Sequence, residues 1–225
     1  SSPELLNNIS ESLAGRIVII ELGTLKANEF YHKPISDFYQ LFETQLSKEN
    51  INLKQPQLTS ENIQHFWLKG GYPEPLMHDE NFYREWMTDY QSTYINRDIA
   101  NLFPRLNTIN YRRFISMLGK LSSKIINKSD LARSLNVSQP TITEYLNIAN
   151  GTFIWRQLLS FENNITKSII KMPRGHIRDS GLLHSLLHID SLQSLQNDPS
   201  VGFSFEAFVI EEILKGLQDS RIRNY

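Results

Sequence analysis

Residues 129–150, SDLARSLNVSQPTITEYLNIAN, carry two short amphipathic helical patterns separated by three residues, and this confines the stretch to a tight helical hairpin. Ser129 is placed to cap a first helix with Leu131, Ala132 and Leu135 on one face. Asn136, Val137 and Ser138 break that pattern and supply a turn. Ser138 can cap the second helix, on which Ile142, Tyr145, Leu146 and Ala149 share a side. Pro140 is tolerated in the first turn, where its missing N–H would have had no partner. Helices joined this closely match the helix-turn-helix that sets its second helix into the DNA major groove. The same spacing also describes an αα-hairpin that only fills a core.

Charge sharpens the first reading. The chain of 225 residues has a formal net charge of −1, but its sign varies along the sequence. Residues 108–178 hold 11 Lys and Arg against Asp130, Glu144 and Glu162, whereas the segments on either side are acidic. A basic block that coincides with the helix-turn-helix is the electrostatic footprint of a phosphate-binding face. The alternative is a basic face that is solvated or paired with the acidic ends. On the second helix, Gln139, Thr141, Thr143, Glu144 and Asn147 are the polar side chains left to face a groove. Gln and Asn match adenine edges, while Glu144 is repelled by phosphates. That helix has no Arg or Lys, so its sequence selectivity is expected to be weak. Lys124, Lys128 and Arg133 beside it, with Lys167, Lys171 and Arg174 on an expected wing, suit backbone contacts, which position without specifying. The expected partner is DNA, bound in a salt-sensitive way, with a protein partner or homo-oligomer as the other possibility.

Several classes drop out on composition. There is no Cys, so disulfides and thiolate metal sites are excluded. No apolar run approaches the ~18 residues of a membrane span, and no signal peptide is evident, so a cytoplasmic protein is expected. His184 and His188 have the i, i+4 spacing of a metal pair, but with no third ligand and no HExxH pattern they read as packing or surface residues. There is no Ser/His/Asp or Cys/His signature of a hydrolase.

Elsewhere the periodicity predicts a helix from Ser2 to Gly15, then a strand over 16–22 apolar enough for burial on both faces in a parallel sheet. The remainder of such a sheet is expected upstream of Ser1. Helices follow over 35–46 and 59–68, then a rigid, glycine-led loop over 70–75 and a long helix over 79–103 stopped by Pro104. Another helix covers 109–121. After the helix-turn-helix, β-like segments at 153–160 and 168–172 flank the hairpin signal Glu162-Asn163-Asn164, completing a winged helix. A further short strand is expected at 176–178, and helices at 182–187 and 205–217.

Five motifs in order carry a family resemblance: Gly70-Gly71-Tyr72-Pro73-Glu74, Tyr94-Ile95-Asn96-Arg97-Asp98-Ile99, the helix-turn-helix, Arg178-Asp179-Ser180-Gly181-Leu182-Leu183, and Gly202-Phe203-Ser204-Phe205-Glu206. Together they resemble the prokaryotic AAA-type ATPases that carry the C-terminal domain of unknown function 4143. The resemblance implies the end of an ATPase core over 1–30, a helical lid over 31–107, a winged helix-turn-helix over 108–178, and the helical start of a nuclease-like C-terminal domain over 179–225. The implied fold class is mostly α with minor β. It implies that Gly70, Gly71 and Pro73 contact the adenine of ATP or ADP, bound with magnesium in the full-length protein. The alternative for that loop is an ordinary turn. Arg97 is a candidate arginine finger, with an ion pair to Asp98 as the other reading. Glu206 is a candidate nuclease-like acid, or else the partner of an arginine near the helix start. No GxxxxGK[ST] motif occurs, so the chain is expected to be a C-terminal fragment that does not hydrolyse ATP alone. The expected function is the regulatory, DNA-binding portion of such an ATPase. A stand-alone winged-helix regulator and a protein-interaction module are the rivals.

Overall fold

A computed structural model describes residues 21–42, 56–158 and 174–220. The helix expected over 2–15, most of the strand over 16–22, the hairpin turn at 162–164 and the strand at 168–172 lie outside them, as do Lys167 and Lys171. In chain order the elements are α1 (Ala27–Phe30), a 3-10 turn (Asp37–Phe42), α2 (Ser60–Lys69), α3 (Pro73–Leu76), α4 (Glu80–Thr93), a π-helical turn (Tyr94–Ile99), α5 (Ala100–Leu102) and α6 (Thr108–Lys120). Then come β1 (Lys124–Ile125), α7 (Lys128–Leu135), α8 (Gln139–Gly151), β2 (Trp155–Leu158), β3 (Arg174–Ile177), α9 (Ser180–Leu186), α10 (Leu192–Asn197) and α11 (Val201–Asp219). The described residues are thus mostly helical with one small antiparallel sheet. Among the described residues no helix is long and apolar enough to cross a membrane.

The chain divides into two compact units. Ser1–Leu22 with Glu85–Arg178 forms the sheet unit, and Gly23–Arg84 with Asp179–Tyr225 forms the helical unit. In the sheet unit the strands run in the order β1-β3-β2, with Ile125 opposite Arg174, Trp155 opposite Ile177 and Leu158 opposite Arg174. A Cβ on Gly175 would overlap the Trp155 indole, so glycine is needed for that ring to lie on β3. Tyr111 and Phe114 of α6 meet the Tyr145 ring of α8 edge-on, each at 5.4 Å between centroids. Leu131, Leu135, Ile142, Leu146 and Trp155 are buried in the same unit. Each such side chain contributes roughly 1.5–3 kcal/mol through its removal from water.

The long helix expected over 79–103 is present but changes pitch at Tyr94–Ile99. The i→i+5 spacing of a π turn brings residues five apart toward one face. Here that face holds Tyr94, Ile95 and Ile99, all buried, which a uniform α-helix would spread more widely. Tyr94 also hydrogen-bonds Thr152 at the end of α8.

The helical unit closes on Phe66, Trp67, Leu68, Leu76, Ile189, Leu195 and Phe208. The helix at Val201–Asp219 runs past both ends of the expected 205–217, and the one at Ser180–Leu186 starts before the expected 182 because the Asp179 side chain caps it. The stretch 70–75 is a loop only in part. Pro73 opens a one-turn helix, its fixed φ suiting the first helical position.

Candidate nucleic-acid interface

The first helix of the hairpin is capped by Asn127, not Ser129. The Asn127 side-chain oxygen accepts the backbone N–H groups of Ser129 at 3.0 Å and Asp130 at 3.4 Å, so α7 starts at Lys128. Two residues of offset suffice because Asn and Ser both favour the cap, and the apolar spacing does not choose between them. Asn136 ends α7 in the left-handed region at φ 53°. Asn tolerates that conformation, and it turns the chain sharply enough for Ser138 to cap α8 by accepting from Thr141 N–H at 3.2 Å. The buried stripe of α8 is Ile142, Tyr145, Leu146, Ile148 and Ala149.

This leaves one polar side of α8 in solvent. Gln139, Glu144 and Asn147 are exposed, and Thr141 and Thr143 are half-buried. Two hydrogen bonds from the start of α7 reach that side: Gln139 Nε2 donates to Ser129 Oγ at 2.9 Å, and Lys128 Nζ donates to Thr143 Oγ1 at 3.3 Å. Thr143 Oγ1 itself donates to the Gln139 carbonyl at 3.2 Å. Lys128 is therefore half-buried along α8. Arg133 is exposed and ion-pairs with Asp130. Lys124 and Arg174 are exposed on adjacent strands, where the register sets Arg174 opposite Ile125 and puts Lys124 on the other face of the sheet. Arg112, Arg113 and Lys120 add exposed cations along α6, and Arg112 donates to Asn96 at 2.6 Å. Two further cations turn inward: Arg178 and Arg156 pair with Glu21, and Arg178 also stands over the Phe153 ring at 5.3 Å.

Arg97 is exposed on the π turn, and its Nε lies 2.8 Å from Asp98 Oδ1. The ion pair weighed from sequence therefore exists, and at this exposure it adds little stability.

In the helical unit Gly70 and Gly71 are closely packed against the chain itself. Gly70 takes φ 74° at the end of α2, and a Cβ there would overlap the Asp179 carboxylate. A Cβ on Gly71 would strike the Leu25 carbonyl. Pro73 is exposed. Asp179 is buried, accepting from Gly71 N–H at 2.8 Å and, as the cap of α9, from Leu182 N–H at 2.9 Å. Burial pushes its carboxyl above the usual range, while those two donors and the nearby Lys215 pull the other way. Glu206 lies on the exposed side of α11.

His184 is a packing residue. Its Nδ1 lies 2.8 Å from the Leu68 carbonyl, which can only accept, so the proton sits on Nδ1. Its Nε2 then accepts the Ser204 hydroxyl at 2.6 Å, and Ser204 Oγ accepts the Trp67 indole N–H at 2.9 Å. Burial lowers the His184 pKa to about 4. Among the described residues no group of three or more His, Asp or Glu could hold a metal ion. The Asn127 cap was detectable as an Asn three residues before Asp130, whereas the Ser129–Gln139 and His184–Ser204 contacts join residues with no shared local pattern.

A family model described as Domain of unknown function (DUF8612) matches residues 60–193, a span that takes in both hairpin helices, the glycine pair and Asp179. Uncharacterized protein Mb2031c of Mycobacterium bovis and Uncharacterized protein Rv2008c of Mycobacterium tuberculosis are each 32% identical over 214 residues. That alignment covers 95% of this chain and 42% of each relative, so the chain spans less than half the length of these curated relatives. No solved structure matches the chain. With more than half of its length inside the matching model, the chain belongs to the DUF8612 family.

Proposed function

We propose that the sheet unit is a winged helix that holds duplex DNA mainly through its phosphates, and that it serves as the C-terminal regulatory part of a longer, prokaryotic AAA-type ATPase. The observation that carries the DNA reading is the α7–Asn136–α8 hairpin, with the polar side of α8 left in solvent and the β1-β3-β2 sheet in the same unit. The order α6, β1, α7, α8, β2, β3 fits a winged helix, in which the second hairpin helix enters the major groove. Positive charge supports it, because the exposed Lys120, Lys124, Arg112, Arg113, Arg133 and Arg174 all belong to this unit. The ATPase part of the reading is supported by the ordered motifs, and the greater length of the relatives leaves room for it; ATP and magnesium would be held by residues outside this chain.

Binding of the 225-residue chain to a labelled duplex, followed by anisotropy between roughly 50 and 200 mM salt, tests the DNA reading. Affinity should fall log-linearly with salt, and Lys124→Ala should reduce the slope by about 0.9 if that side chain neutralises one phosphate. An affinity indifferent to salt would remove the phosphate account.

A further inference from the structure

The exposed side of α8 is built from amides and hydroxyls. At roughly 100° per residue, Gln139, Thr143 and Asn147 fall within an arc of about 80°, and Glu144 stands about 140° from Gln139, at the rim beside buried Ile148. Gln139 is the first residue of α8, the end from which a helix in the major groove contacts base edges. Its amide is held in place: one N–H is given to Ser129 Oγ, which is available because Asn127 and not Ser129 caps α7. An amide has two N–H groups, so the second N–H and Oε1 remain for a ligand. That donor and acceptor complement adenine in the major groove, where N7 accepts and the N6 amino group donates. The side chains suited to guanine, Arg and Lys, do not occur on α8.

Resting on the DNA-binding reading above, we propose that α8 reads an A·T base pair through Gln139. Ser129 acts as the positioning residue that orients the amide. The Lys128–Thr143 contact stiffens the same strip, so less side-chain freedom is lost on binding. Duplex DNA is the occupant that the charge favours: Asp130 is paired with Arg133, and Glu144 is the one exposed acid left on α8. A single reader gives modest selectivity, consistent with binding dominated by phosphates.

The test is selection of the 225-residue chain against duplexes with a randomised central segment, at a fixed salt near 100 mM so that phosphate contacts do not mask base preference. A·T should be enriched about tenfold at one position, the range of one good bidentate contact. Gln139→Ala should flatten that position and leave the salt slope unchanged. Gln139→Glu should move the preference toward C·G, because a carboxylate accepts from cytosine N4, a switch that a purely structural Gln139 would not produce. Ser129→Ala should weaken the discrimination several-fold through loss of orientation alone. Salt-dependent binding with no base preference, or a preference unmoved in both Gln139 variants, overturns this inference and leaves the phosphate reading standing. No duplex binding at any salt overturns both.

Discussion

Lowering the pH should destabilise the helical unit through His184. The ring is fully buried, its Nδ1–H donates to the Leu68 carbonyl, and its Nε2 is the acceptor for the Ser204 hydroxyl. Protonating Nε2 removes that acceptor. Ser204 Oγ can still accept, as it does from Trp67, but its own O–H then has no partner in a buried site. The folded pKa is about 4 against an ordinary 6.5, so the unfolded chain takes up the proton first. The stability associated with the neutral ring is fully present above pH 6.5 and is lost as the pH falls toward 4. Over that window the loss is on the order of 2–3 kcal/mol. Asp179 and Glu212, both pushed up by burial, act in the opposite sense, and His65, lowered by burial, acts in the same sense. A comparison with His184→Gln separates the contributions, because glutamine can donate and accept in place of the ring without titrating. Urea unfolding followed by circular dichroism at a series of pH values should show the native chain losing roughly 2–3 kcal/mol more than the variant as the pH falls from 7 to 4.5. Parallel pH dependences for the two proteins would refute the assignment.

Asp179→Ala should cost about 2–4 kcal/mol, because the Gly71 and Leu182 N–H groups lose their acceptor in a buried site; Asp179→Asn, which keeps one acceptor oxygen, should recover part of it. Urea midpoints measure both, and a loss below about 1 kcal/mol for the alanine variant would show that water replaces the carboxylate. On the proposed ATPase reading, Arg97→Ala in the full-length protein should lower ATP turnover by about 10³-fold if this exposed guanidinium acts as a finger. Turnover left unchanged would confine Arg97 to its contact with Asp98.

Local chemistry was written plainly in some stretches. The helical hairpin at 129–150 follows from apolar spacing, the Ser138 cap and a turn residue that accepts the left-handed region. Short-range signals of this kind act within a few residues. The start of α7 was less legible, because Asn127 and Ser129 are both good caps and only the folded backbone selects between them. The π turn was not legible at all: nothing in Tyr94–Ile99 departs from a helical pattern until Tyr94 must reach Thr152, a residue 58 positions away. The two-residue strand β1 likewise exists only because β3 is there to pair with it.

The amino-acid order by itself determined the longer helices, the hairpin and the concentration of positive charge in 108–178, since each depends on neighbours in sequence. By contrast, the helix expected over 35–46 is a 3-10 turn over its described part, and the short helices Ala27–Phe30 and Leu192–Asn197 carried no such signal. Tertiary structure decided which polar groups work together. It buried Asp179 against Gly71, joined His184 to Ser204 and Trp67, and turned Arg156 and Arg178 inward to Glu21. It also set the Gln139 amide against Ser129 on the open side of α8. Contacts between residues distant in sequence carry no periodic signature, because the entropy of closing such loops is offset only by the packing of the whole unit.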